Sequence, residues 1–254
     1  MTVIENDHDS ELDPSCCTPS YATTEPAEEA VTDACGCAVP ASKDTVSTGM
    51  EDVKRASATS PEVSAVRAAG FRLLLDEGRP IEVEQWAAAA GIESSALRAV
   101  LETSSVEGRV QLDDEGRLLG IAGLTVEPSR HQVDIDGTIR WTWCALDAVG
   151  ILGALEADGT VRSTDPRSGD PVEIPFKGGK PQGDTTLFIL GGYDGGNVLE
   201  DWCPLVNFFA TRDAAEVWVE AEGLEGDIVT VAQIAADATD MWRPVVDPSA
   251  PQVC

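Results

Sequence analysis

Histidine is almost absent from this chain, lysine is scarce and no long apolar run occurs. Each gap removes a class of function. His8 and His131 are the only histidines and no Cys-x-x-Cys pair exists, so a zinc site of the usual kinds is not expected. Only four lysines (Lys43, Lys54, Lys177, Lys180) occur, and 17 basic residues in all face 45 acidic ones, a net charge of −28. Such a surface repels nucleic-acid phosphates and anionic lipid, so neither is expected as a partner. It also repels itself unless salt screens it. Carboxylates spread over the chain with so little lysine fit a proteome adapted to high salt. No run approaches the roughly 18 apolar residues a membrane span needs. The start, Met1-Thr-Val-Ile-Glu-Asn-Asp7, has neither the basic residues nor the apolar stretch of a secretory leader. A cytoplasmic location is the expectation. Seven cysteines are an odd number for a disulfide framework, and a reducing compartment keeps them as free thiols.

What is present divides into four stretches. Residues 1–60 carry 12 acidic and 3 basic side chains, many Ser, Thr and Pro, and few large apolar groups. They cannot bury enough surface to offset chain entropy and are expected to be a disordered acidic tail. The second stretch, 61–124, begins with Val63, Val66, Phe71 and Leu74 at helical spacing, closed by Gly78. Ile81 to Ala90 is a second helix ended by Gly91, and Ser94 or Ser95 can cap a third from Ala96 to Leu101 and slightly beyond. Arg109 to Leu112 and Arg117 to Ile121 then flank the turn Asp113-Asp-Glu-Gly116. Three helices and a hairpin make a winged-helix-like module.

The third stretch, 125–246, alternates strands and helices. A hairpin turns at Asp136-Gly137, a strongly apolar helix covers Cys144 to Glu156, and strands cover Thr160–Arg162, Pro171–Ile174, Thr185–Leu190 and Val206–Phe209. Thr211 can cap a helix over Ala214–Ala221, and a last helix spans Val231 to Trp242, ending before Pro244. Residues 247–254 form a short tail. The expected fold class is α+β: the winged-helix-like module followed by a mixed or antiparallel sheet with packed helices.

Two cysteines in aromatic, apolar settings stand out: Cys144 in Trp141-Thr-Trp-Cys-Ala-Leu-Asp147 and Cys203 in Asp201-Trp-Cys-Pro-Leu-Val-Asn-Phe-Phe209. A helix beginning near Cys144 would place its partial positive charge on the sulfur and lower the thiol pKa. Asp147, three residues on, shares that helix face, so thiol and carboxyl can meet one ligand. Two thiolates suit a soft metal, and the acid can protonate what the metal carries. Taken alone, Cys-x-x-Asp also fits a buried cysteine beside a first-turn aspartate, and Cys203 fits a small core residue.

The surrounding residues carry a resemblance. From Arg79-Pro-Ile-Glu-Val83 through Gly116-Arg-Leu-Leu-Gly120, Gly123-Leu-Thr125 and the Trp-Cys-Ala-Leu-Asp string, to Trp202-Cys-Pro-Leu-Val-Asn-Phe-Phe-Ala210 and Trp218 with Gly223-Leu-Glu-Gly226, the chain resembles the alkylmercury lyases (organomercurial lyases) in family order. The resemblance implies an enzyme that cleaves carbon–mercury bonds by protonolysis, giving a hydrocarbon and mercury(II), in mercury detoxification. Cys144 and Cys203 would be the mercury-binding thiols and Asp147 the proton-relaying acid, with no organic cofactor or permanent metal. The implied partners are an organomercurial small molecule, cellular thiols and a mercuric reductase that accepts the metal. Two departures stand in the sequence: Asp165 replaces a cysteine of many relatives, and Pro204 a second cysteine of some. Neither belongs to the trio.

Trp143, Trp202 and Phe208 fit an apolar lining for the organic group or ordinary core packing. Cys16-Cys17 and Cys35-Gly-Cys37 lie outside the resemblance. On an acidic tether they can serve as auxiliary mercury thiols, and as plain tail cysteines they have no selected role; spacing leaves both open. Two non-lyase readings compete. A winged-helix regulator needs phosphate-neutralising cations, but the stretch 94–104 offers only Arg98, with Glu93 and Glu102 beside it. A soft-metal carrier for mercury or copper would need the cysteines and not Asp147.

Overall fold

The computed structural model describes residues 49–51, 61–106, 108–193 and 195–249. Nearly all of the 1–60 tail, with Cys16, Cys17, Cys35 and Cys37, lies outside the described residues, as does Cys254. Helix α1 (Pro61–Glu77) turns Val66, Phe71 and Leu74 inward. Helix α2 (Val83–Ala90) ends at Gly91, whose φ of 71° lets its N–H reach back to the Ala87 and Ala88 carbonyls. Helix α3 (Ser94–Val106) begins at Ser94, so neither serine precedes it as the expected cap. Its first turn closes instead on the Glu93 carbonyl, which accepts from Ala96 and Leu97.

Strands β1 (Val110–Leu112) and β2 (Leu118–Ile121) form the expected hairpin. The carboxylate of Asp113 organises its turn, accepting from the Arg117 N–H at 2.8 Å and from Arg117 Nε at 2.7 Å. The hairpin is the edge of a larger sheet. Strands β3 (Leu124–Thr125), β4 (His131–Ile135), β5 (Thr138–Thr142), β6 (Gly159–Thr164), β7 (Pro171–Lys177) and β8 (Lys180–Pro181) complete it in the order β1-β2-β3-β5-β4-β6-β7-β8. All its neighbouring pairs are antiparallel. The β4–β5 turn places Asp136 at φ 48° and Gly137 at φ 86°, the two left-handed residues that a two-residue hairpin with native twist requires. Along β7, Val172, Ile174 and Phe176 are buried and the residues between them exposed, so this sheet turns one face to the core.

A second antiparallel sheet sets β9 (Thr186–Leu190) between β10 (Asn207–Phe209) and β11 (Gly226–Thr230). Helix α5 (Arg212–Glu222) packs on it through Ala215 and Trp218 against Phe188 and Phe209. Thr211 caps α5 as expected, its Oγ1 accepting from the Ala214 N–H at 3.1 Å. The architecture is thus α+β with antiparallel sheets and packed helices.

Helix α4 (Ala145–Ala154) lies at the centre and all ten of its residues are buried. Its partner is α6 (Val231–Val246). The two approach closely because α4 presents glycines: a Cβ on Gly150 would stand 2.2 Å from the Trp242 ring, and one on Gly153 2.0 Å from Thr239 Oγ1. The α6 helix runs through Pro244 instead of stopping before it. In the last turn a proline removes only one intrahelical bond, and the Asp247 N–H still closes on the Arg243 carbonyl. Buried Arg140 on β5 donates to the Leu74 and Leu75 carbonyls at the end of α1, at 3.1 and 2.5 Å, and so ties that helix to the sheet. No helix among the described residues is long and apolar enough to cross a membrane.

Candidate active site

Cys144 is where β5 gives way to α4. Its backbone is extended (φ −145°, ψ 175°) and it occupies the N-cap of the helix. The Cys144 N–H donates to Asp147 Oδ2 at 2.9 Å in a capping-box arrangement, which fixes the carboxyl one turn above the sulfur. Thr142 Oγ1 donates to the Cys144 carbonyl at 3.0 Å. Asp147 fits only because its neighbour has no side chain. A Cβ at Gly123, whose φ is 82°, would lie 2.2 Å from Asp147 Oδ1. That turn is pinned on both sides: the Ala122 carbonyl accepts from Trp242 Nε1 at 2.8 Å, and the Gly123 carbonyl from the Trp143 N–H at 2.9 Å.

Cys203 arrives on a different segment. The Asn197 side chain accepts from the Leu199 and Glu200 N–H groups and starts a single π turn, Val198–Trp202. The chain then tightens into a 3₁₀ turn, Cys203–Leu205, with Pro204 inside it. Asn207, buried at the start of β10, holds this turn: its Nδ2 donates to the Pro204 carbonyl at 2.8 Å and its Oδ1 accepts from Arg130 Nη1 at 2.6 Å. The Ala145 N–H donates to the Val206 carbonyl at 3.1 Å and stitches the two cysteine segments together. As a result the Cys144 sulfur, the Cys203 sulfur and a carboxylate oxygen of Asp147 all lie within 4.8 Å of one another. Both cysteines are free and buried.

Burial governs the electrostatics. The expected lowering of the Cys144 thiol by the helix end is outweighed: burial, the contact with Cys203 and the nearby Asp147 charge raise it well above its ordinary value. For Cys203 the largest influence is a hydrogen bond with Cys144, which lowers the pKa. Burial and the charge of Asp147 together outweigh it, so the net direction is upward. The resting sulfurs are therefore protonated thiols. Burial lifts Asp147 from 3.8 to about 6, restrained by its hydrogen bonds to Cys144 and by the positive charge of Arg67. Burial also lowers Arg67, on α1, to about 10, with Arg109 adding to the fall and Asp147 opposing it.

Cys203 opens onto a cleft of ≈ 270 Å³ lined by Gln111, Thr125, Glu127, Pro128, Ser129, Trp143 and Leu199. The three candidate aromatics separate here. Trp143 lines the cleft, whereas Trp202 is buried with its Nε1 donating to the Leu190 carbonyl, and Phe208 is buried edge-on to His131. His131 is not part of the Cys144, Asp147 and Cys203 cluster: it lies in β4 with Ser163 Oγ 2.9 Å from its Nδ1, and burial pushes its pKa down to about 3. Asp165 organises its own turn, accepting from the Arg167 and Ser168 N–H groups and from that of Ala210. Arg67 and Gln111 carry no motif that singles them out in sequence. Gly123 lies within a segment of the resemblance, although its reason, the room for Asp147, is visible only in three dimensions.

Two soft sulfurs and a proton-carrying carboxyl, all buried, define a class, a dithiol site for a soft metal with an acid alongside. A family model described as alkylmercury lyase matches residues 124–242. An alkylmercury lyase of Streptomyces lividans is 32% identical over 178 residues, covering 68% of this chain and 79% of that protein. One of Staphylococcus epidermidis is 28% identical over 150 residues, covering 58% and 68%. A crystal structure of the mercury-bound form of MerB2 shares the fold at a TM-score of 0.68 and 18% identity, over 79% of this chain and 98% of that one. The chain belongs to the alkylmercury lyase family.

Proposed function

We propose that the protein is an alkylmercury lyase whose reaction runs through Cys144, Cys203 and Asp147. Its substrate is an organomercurial R–Hg–X, where X is a thiolate. Mercury(II) favours sulfur over oxygen, and binding it acidifies a thiol that burial otherwise keeps protonated. Cys203, at the cleft, and Cys144, behind it, replace X on the metal, and each loses its proton. One proton leaves with X as HX. The other passes to the Asp147 carboxylate, which a pKa of about 6 leaves ready to accept it at neutral pH. The second thiolate enriches the metal in electrons, so the carbon bound to it becomes basic. Asp147 then protonates that carbon as the carbon–mercury bond breaks, giving R–H and mercury held by two sulfurs. Both protons come from the thiols, so the balance closes without a redox partner or cofactor.

The observation that supports these roles is the meeting of two sulfurs and one carboxyl oxygen within 4.8 Å. Methylmercury incubated with purified protein and excess thiol should release methane, measured by gas chromatography. Asp147→Ala should abolish methane while leaving mercury(II) bound. A carrier that only binds metal would release no methane from the wild type and would be indifferent to this change.

Location and partners are consistent with that chemistry. Free thiols require a reducing compartment, which fits the cytoplasm, and cellular thiols or a mercuric reductase would take the metal from the product. The winged-helix-like segment 61–124 serves as a platform for the site and not as a DNA reader; Arg98 on α3 is engaged by Glu84 at 3.0 Å. Cys16, Cys17, Cys35 and Cys37 are kept as auxiliary mercury thiols on a tether, to be tested by deleting residues 1–60 and measuring organomercury resistance.

A further inference from the structure

Gln111 on β1, Gly120 on β2 and Thr125 on β3 are direct cross-strand neighbours and form one row across three strands. The glycine in the middle leaves a gap. A Cβ there would stand 2.8 Å from Trp143 Nε1, 2.9 Å from Gln111 Oε1 and 3.1 Å from the Leu124 carbonyl. Into that gap come the edge of the Trp143 indole and the end of the Gln111 side chain. Gln111 Oε1 accepts from Trp143 Nε1 at 3.3 Å and from Thr125 Oγ1 at 3.0 Å. The Thr125 hydroxyl is itself held, since it accepts from the Glu127 N–H at 3.1 Å and lies 3.2 Å from the Leu119 carbonyl. Gln111, Thr125 and Trp143 all line the cleft onto which Cys203 opens.

We propose that Gln111 is a positioning residue that sets substrate specificity: its side-chain oxygen locks the Trp143 indole as a flat wall beside the mercury thiols, against which the organic group of the mercurial lies. The proposal rests on the lyase reading. The indole is attached one residue before Cys144, so its angle decides how much room remains next to the metal. A wall held by one 3.3 Å hydrogen bond and a glycine-sized gap turns easily once either is removed. A flat aryl group, stacked along the indole, is sensitive to that angle, whereas a methyl group is not. The row also gives the β1–β2 hairpin a part in the chemistry.

The test compares phenylmercury and methylmercury turnover by purified full-length wild type, Gln111→Leu, Gln111→Glu and Gly120→Ala. In Gln111→Leu, KM for phenylmercury should rise roughly tenfold more than KM for methylmercury, with kcat for phenylmercury little changed. Gln111→Glu keeps an acceptor oxygen and should restore the wild-type ratio. Gly120→Ala displaces the same indole from another strand and should lower the phenyl-to-methyl preference in the same direction. An unchanged preference in both Gln111→Leu and Gly120→Ala overturns the proposal. So does a loss of mercury(II) uptake in Gln111→Leu, which is the mark of a merely structural role. Failure of the wild type to release benzene or methane would instead refute the lyase reading, so the two failures are distinguishable.

Discussion

Asp147 is buried at 5% exposure, and that placement should cost the protein stability which Asp147→Asn would recover. Unfolded, the carboxyl titrates at its ordinary 3.8; folded, burial raises it to about 6. A carboxyl raised by folding costs nothing while both states are protonated. The cost grows as pH climbs past the unfolded value and levels off above the folded one. Linkage then gives a penalty of about 1.5 kcal/mol at pH 5 and about 3 kcal/mol at pH 8. Asparagine keeps the oxygen that accepts from the Cys144 N–H at 2.9 Å, so the helix cap survives while the buried charge disappears. Urea denaturation at fixed ionic strength should therefore find Asp147→Asn more stable than wild type. The margin should widen by about 1.5 kcal/mol between pH 5 and pH 8, with hydrocarbon release abolished. A difference that does not change with pH, or a wild type at least as stable at pH 8, would refute the claim that burial dominates this carboxyl.

The same group should shape the rate profile. Asp147 accepts a thiol proton only when ionised, so kcat/KM of the wild type for methylmercury should fall as pH drops through about 6. Gly123→Ala combines a φ of 82° with a Cβ only 2.2 Å from Asp147 Oδ1; it should lose more than about 1 kcal/mol of stability, together with turnover. Asn207→Leu frees the Pro204 carbonyl and the Arg130 guanidinium, so the Cys203 turn should loosen. Thermal unfolding should report a loss of about 1–3 kcal/mol, and competition with a chelating dithiol should show weaker mercury(II) retention.

Much of this molecule is written locally. The helical spacing of Val66, Phe71 and Leu74, the stops at Gly78 and Gly91, the Asp136-Gly137 turn and the Thr211 cap are short-range matters of propensity and φ, and the structure follows them. The candidate trio is legible too, because its residues sit in two strings specific enough to carry a family resemblance. Less legible is Pro244, a breaker whose residue type predicts a stop. In the last turn of α6 it costs only one intrahelical bond, so the helix runs through it to Val246.

Residue order alone is enough for part of the inventory: two cysteines in specific strings, an acid one helical turn from one of them, an excess of acidic side chains, and most helices and strands, though not β3, β8, β11 or the turns that carry Cys203. Only packing in three dimensions makes Cys144 and Cys203 face one another, since their approach depends on the hydrogen bond between the Ala145 N–H and the Val206 carbonyl, and on Asn207 bracing the turn between. Packing also sets the protonation of the site. The helix end that should favour a thiolate is readable from sequence, but desolvation depends on what surrounds the sulfur, and at Cys144 that environment reverses the sign.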